Sequence, residues 1–165
     1  MIREVLRYPD RRLKTVARPV RNPSAACHRL AHDLEETARS FPRTVGIAAP
    51  QVGELWRVAF IDCTNHPKVE APLGPLMLVD PVLIASAGDE VGREGCLSLP
   101  DITANVRRAT EIRVRFLDLG GREHEIATSG FEARVILHEM DHLDGVLILD
   151  RVASLALDVF PRKRR

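Results

Sequence analysis

The apolar and polar positions of this chain change period several times, and each change marks an element. Tyr8-Pro9-Asp10 reads as a turn and leads into a short basic segment that runs to Val20. Asn22-Pro23-Ser24 is a helix start. Cys27, Leu30, Leu34, Ala38 and Phe41 then step by three and four, which predicts an amphipathic helix ending at Pro42. Val45 to Gly53 is small, apolar and uncharged, with Gln51 as its one polar side chain, and predicts a short buried strand with a turn. Trp56 to Cys63 is a second strand, and the proline-rich stretch from Asn65 to Pro75 is a loop. Leu76 to Ala85 is a further strand, where Pro81 implies an edge or a bulge. Glu111 to Leu119 alternates cleanly, Gly120-Gly121 supplies a hairpin turn, and Arg122 to Thr128 pairs back.

The next periodic stretch carries the chemistry. Phe131, Val135, His138 and His142 fall on one helical face, and Ala133, Ile136, Leu137 and Met140 make the rest largely apolar. Ser129 with Glu132 three residues later forms an expected capping box, and Gly145 is the expected stop. Within this helix His138-Glu139-Met140-Asp141-His142 is a His-Glu-x-x-His pattern. Imidazoles four residues apart stand one turn apart and can grip one divalent metal, with the Glu within reach of a water beside it. A buried helix with two His and two acids needs compensating charge, and a metal supplies it. A catalytic metal site also needs a third protein ligand and an open position. One protease family places a third His where this chain has Ile148, and no Glu follows Glu139, so the third ligand is to be sought upstream. Cys96, between Gly95 and Pro100, sits in backbone expected to be irregular or exposed, where a thiolate could face a metal. His28 and His32 are also four apart, but no Glu lies between them and they are read as solvent-side residues. Asp150 is expected to cap a last amphipathic helix from Arg151 to about Phe160, followed by the basic tail Arg162-Lys163-Arg164-Arg165.

Composition narrows the partners rather than the chemistry. The 165 residues suit one domain, 1–165, with one sizeable core, and 45% hydrophobic with 28% charged residues is ordinary for a globular protein. A net charge of +1 gives no general attraction to DNA or to an anionic membrane. Met1-Ile2-Arg3-Glu4 lacks the apolar core of a signal peptide, so a cytoplasmic location is expected. Three cysteines, Cys27, Cys63 and Cys96, with no Cys-x-x-Cys pair argue against a disulfide scaffold and a four-cysteine zinc site.

Three stretches together, Gly46-Ile47-Ala48-Ala49-Pro50-Gln51, Glu94-Gly95-Cys96-Leu97-Ser98 and His138-Glu139-Met140-Asp141-His142, resemble the three signature motifs of the peptide deformylases, in order. The resemblance runs from Tyr8-Pro9-Asp10 to Asp150-Arg151-Val152. It implies an α+β fold with antiparallel β-sheets packed around a central metal-binding helix, with an N-terminal and a C-terminal helix. It also implies a hydrolase that removes the formyl group from the initiator Met of nascent chains, in a bacterium or an organelle. Cys96, His138 and His142 match the family's metal ligands, Glu139 its general base, and Gln51 with the backbone N–H of Leu97 its oxyanion donors. The implied cofactor is one Fe2+, replaceable by Zn2+, Ni2+ or Co2+. Val45, Gly46, Glu94, Gly95, Phe131 and Val135 are the expected substrate-contacting positions, with Arg134 laying its stem along the slot and keeping its guanidinium in water. The implied partners are a formyl-Met nascent polypeptide and the ribosome, met through the C-terminal segment, and the implied state is a monomer. Two positions depart from the family pattern: Thr44 stands where a Gly is usual, and Leu137 where a Gln is usual. They leave a catalytically weak deformylase-like, ribosome-associated binding protein as an alternative, and the His-Glu-x-x-His helix leaves a zinc metalloprotease as a second, against which the missing downstream ligand argues.

Overall fold

The computed structural model describes residues 1–163, and Arg164 and Arg165 of the basic tail lie outside them. Helix α1 (Ala25–Arg39) begins where Ser24 accepts a hydrogen bond from the Cys27 N–H. Its stripe of Cys27, Leu30, Leu34 and Ala38 packs on Ile47, Val58, Phe60 and Val79. The helix ends at Arg39, so the predicted last apolar step, Phe41, lies beyond it and is partly exposed. Strands β1 (Gly46–Ala48), β2 (Val58–Ile61), β3 (Leu76–Ala87), β6 (Glu111–Leu117) and β7 (Glu123–Ser129) form one antiparallel sheet in the order β1-β2-β3-β6-β7. Pro81 sits at a bulge of β3 between Val79 and Val82, where Asp80 takes a positive φ of 49°. β3 lies between β2 and β6, so Pro81 marks a bulge and not an edge.

A second sheet joins β4 (Glu90–Cys96), β5 (Leu99–Arg108) and β8 (Val159–Pro161) in the order β4-β5-β8. Between the sheets runs α2 (Gly130–Leu143). Its Ala133, Ile136, Met140 and Leu143 pack on Ala48, Ala59, Ile61, Leu78, Ile112, Val114 and Phe116. Ile136 and Leu143 are fully buried, and truncating either to Ala costs about 2–5 kcal/mol. That rigid seat fixes the opposite face of α2, which carries the two histidines.

Two expected details of this region are corrected. Ser129 precedes α2 in extended backbone, as the end of β7, and its side chain makes no capping bond. Glu132 accepts instead from Thr128 Oγ1 at 2.7 Å and from the Leu73 N–H at 3.0 Å, which ties the loop before β3 to the helix. The expected C-terminal helix from Arg151 to Phe160 is absent. A short helix α3 (Ile148–Arg151) contains Asp150, whose carboxylate accepts from the Leu147 N–H at its own start. Asp158 then closes a turn by accepting from the Ser154 N–H at 3.0 Å and Asn105 Nδ2 at 3.2 Å, and β8 pairs with β5. Leu155 and Leu157, within the stretch expected to be helical, are exposed. Gly145 does stop α2, at φ 70°, and a Cβ there would lie 2.7 Å from the Lys14 carbonyl oxygen.

Candidate active site

α2 presents His138 and His142 toward the end of β4, where the register shifts between Gly95 and Cys96. That bulge re-aims the chain and brings Cys96 Sγ to 3.3 Å from His142 Nε2. One ligand atom each from Cys96, His138 and His142 lies within 4.8 Å of the others. The backbone at Cys96 is irregular, one of the two expected forms, and the residue is buried. Burial alone would push the Cys96 thiol up. The imidazoles of His142 and His138 outweigh it and hold the thiol well below its ordinary value, so the thiolate is favoured. For His138 burial works against the charged ring, but hydrogen bonds with Cys96 and Glu94 raise it. A thiolate and two imidazoles, offering one ligand atom each, form a donor set that fits a divalent cation.

Behind the cluster lies a chain of buried charge. His138 Nδ1 is 2.8 Å from Glu94 Oε1, which fixes the ring and leaves Nε2 toward Cys96. Glu94 also accepts from Arg108 Nε at 2.6 Å and Arg134 Nη1 at 2.8 Å. Burial raises this carboxyl, but the His138 and Arg108 bonds prevail and hold it at about 2. Arg108 continues to Asp141, 2.8 Å away, and Asp141 accepts from Arg151 at 2.7 Å. The side chain of Glu94 is therefore occupied with orienting His138, although the residue borders the cleft as expected. Arg134 does not keep its guanidinium in water. It is buried and donates to Glu94 and to the carbonyls of Val106 and Glu90.

Glu139 and Gln51 complete the inner wall. Glu139 is buried, its Oε2 has no partner, and burial raises its carboxyl above the ordinary value. A Cβ at Gly46 would lie 3.0 Å from Glu139 Cγ, so glycine there lets the Glu139 side chain approach the strand without being displaced. Gln51 Oε1 accepts from the Ala48 N–H at 3.0 Å, which turns Nε2 toward Ser98 Oγ at 3.2 Å and Cys96 Sγ at 3.7 Å. The amide thus presents its donor side to the cluster.

These groups open onto a cleft of about 220 Å³. Every expected site residue except His142 borders it: Val45, Gly46 and Gln51; Glu94, Gly95, Cys96 and Leu97; Phe131, Val135, His138 and Glu139. His142 lies behind, buried beside Cys96. Sequence reasoning missed His66, which stacks on Phe131 with centroids 4.1 Å apart, because it sits in an aperiodic loop. It also missed Arg43, Arg93 and Arg162 on the rim. Ile148, where one protease family would carry a third His, is a core residue.

Residues 2–157 match the sequence profile of the family described as polypeptide deformylase. This chain belongs to that family. It is 41% identical to a peptide deformylase of Dictyoglomus thermophilum over 95% of this chain and 97% of that protein. It is 38% identical to the one of Rickettsia typhi, over 98% and 94%. Among solved structures, the peptide deformylase of Legionella pneumophila superposes with a TM-score of 0.84 at 35% identity, covering 94% of this chain and 88% of that one. That of Thermotoga maritima gives 0.84 at 32%, over 93% and 99%. The family is one of metal-dependent hydrolases acting on N-formylmethionine peptides, and the expected α+β architecture with antiparallel sheets is the one found.

Proposed function

We propose that this chain removes the formyl group from the N-terminal methionine of newly made polypeptides, releasing formate. The observation that carries the reading is the convergence, on one cleft, of a buried carboxylate with one unpartnered oxygen, Glu139, and an oriented amide donor, Gln51, beside Cys96, His138 and His142. Those three ligands would hold one Fe2+, with Zn2+, Ni2+ or Co2+ able to replace it, and the bound ion supplies Lewis-acid polarisation and lowers the pKa of water. Glu139 takes the proton of the attacking water and then delivers it to the departing amine. Gln51 Nε2 and the Leu97 N–H donate to the oxygen on which negative charge develops.

The substrate is held by two strand edges. β1 and β4 each end a sheet among the described residues, and both border the cleft. An extended peptide laid between Gly46 and Gly95 becomes an added strand. Its methionine side chain enters the slot of Val45, Phe131 and Val135, with His66 behind Phe131. Formyl-Met and formyl-norleucine peptides should be cleaved comparably and formyl-Gly peptides far more slowly, since each methylene withheld from an apolar slot costs about 1–3 kcal/mol. Formate release from these three peptides by the purified chain tests the proposal, and no release from formyl-Met would overturn it. We further propose that the chain acts as a cytoplasmic monomer and meets the ribosome through its basic C-terminal segment. No helix among the described residues is long and apolar enough to cross a membrane. Co-sedimentation with ribosomes that survives deletion of residues 162–165 at low salt would remove the tail from that role.

A further inference from the structure

The three-stranded sheet carries cations on the cleft that neither the ligands nor the oxyanion donors use. Opposed residues of an antiparallel pair share a face, as do residues two apart on a strand. Arg93 opposes Asn105, Gly95 opposes Thr103, and Thr103 opposes Phe160. These five residues therefore lie on one face, and Glu94, between two of them, turns the other way toward α2. Arg93 lies across this face. It donates to Asn105 Oδ1 at 3.1 Å and Thr103 Oγ1 at 3.3 Å, and its Cζ is 3.7 Å from the Phe160 ring centroid. Arg162, two residues beyond Phe160, places its guanidinium over Gly95, where a Cβ would lie 3.2 Å from Nη1. Glycine leaves the space in which Arg162 lies. Arg43, just before β1, brings a third cation to the rim.

All three arginines are exposed and border the cleft, and no carboxylate pairs with them among the described residues. The two acids of the cleft are otherwise engaged: Glu94 with Arg108, Arg134 and His138, and Glu139 as the base. Arg93 is held by neutral partners, so its charge is oriented without being neutralised. We propose that Arg93 and Arg162, with Arg43 on the β1 side, form a wall that selects formyl peptides carrying a carboxylate in the residues after the formylmethionine. A peptide strand along β4 turns alternate side chains toward the face of Arg93 and Arg162, while its methionine is in the apolar slot. An acidic side chain there gains charge-assisted hydrogen bonds, and a Lys or Arg is repelled.

The inference rests on the deformylase reading, and one peptide set separates the two. Formyl-Met-X-Ala-amide and formyl-Met-Ala-X-amide, with X as Asp, Ala or Lys, carry no terminal carboxylate of their own. The preferred position should show kcat/KM for Asp about three- to tenfold above Lys at low salt, the scale of partly exposed ion pairs. The ratio should shrink as salt rises, and in Arg93→Gln and Arg162→Gln. Equal cleavage of all the peptides, or a preference for Lys, overturns this inference alone. An Asp preference untouched by either substitution overturns the assignment to these arginines. No cleavage even of the Ala peptide overturns the deformylase reading, and this inference falls with it.

Discussion

Two helices of this molecule carry histidines four residues apart, and only one pair builds a centre. On α1, His28 and His32 face solvent; His28 Nε2 lies 2.8 Å from the Leu119 carbonyl oxygen, and His32 is 3.8 Å from Glu36. Asp33 and Glu36 stand close enough to His32 to resemble a metal cluster. Yet Asp33 already accepts from Arg3 at 2.7 Å and from the Met1 amino group at 2.6 Å, and Glu36 also pairs with that amino group. On α2, His142 is buried and the His138 side chain is only slightly exposed, Cys96 arrives from the three-stranded sheet, and Glu94 fixes a ring. Helical spacing supplies a pair of imidazoles in both places. A third donor from a remote strand, and a buried carboxylate to orient the ring, exist only in the second.

Substitutions on the two helices test this contrast. The largest effect is expected at Glu139. Glu139→Ala should retain metal and lose about 10²–10⁴-fold in turnover, measured as formate release alongside metal content. Its counterpart on α1 is Arg29, the residue after His28, and Arg29→Ala should leave turnover as it was. Near-normal turnover in Glu139→Ala would remove the acid from the mechanism. Next comes Gln51→Ala, where turnover should fall about 10²–10³-fold with KM little changed. A change in KM alone would reassign Gln51 to substrate binding.

A smaller effect is expected when the ring of His138 loses its orienting partner. Glu94→Gln should weaken metal affinity by about 10–100-fold, read by competition with a chelating dye. It also leaves Arg108 and Arg134 short of a buried counter-charge, so the melting temperature should fall with it. Unchanged affinity would show that the ring is held by packing alone. The smallest effect belongs to the first helix. His28→Ala with His32→Ala should keep one metal per chain and shift stability by no more than about 0.5 kcal/mol per site, as exposed positions do. Loss of metal in that double variant would erase the contrast between the two pairs.

What the sequence made legible follows the same division. Local signals were readable: α1 from its stripe and Ser24, the β6–β7 hairpin from Gly120-Gly121, and α2 from its period and Gly145. The motif residues were readable because each of the three stretches has an unusual composition. The resemblance, rather than the spacing, joined Cys96 to the two histidines. Relations between distant charges were not readable. Nothing local in Arg108 or Arg134 says that both meet Glu94, because the pairing is made by the β4–β5 hairpin and its seat on α2. That hairpin was itself hidden by Gly92 and Gly95, which break the strand pattern and leave room for Arg134 and Arg162. The C-terminal error has the same origin. The stretch from Arg151 to Phe160 is apolar enough to be read as an amphipathic helix, but Asp158 and the edge of β5 draw the chain into a turn and a strand.

Whether Cys96 joins the α2 pair in holding the metal is read most directly from the absorption spectrum of the Co2+-loaded chain. A centre of Cys96, His138 and His142 predicts a thiolate-to-cobalt charge-transfer band in the near ultraviolet, with intense visible bands of a four-coordinate ion. That band should vanish in Cys96→Ala and persist in Cys63→Ala, since Cys63 is a core thiol that burial pushes up to about 12. A Co2+ complex without the band, or a band that survives Cys96→Ala, would contradict it.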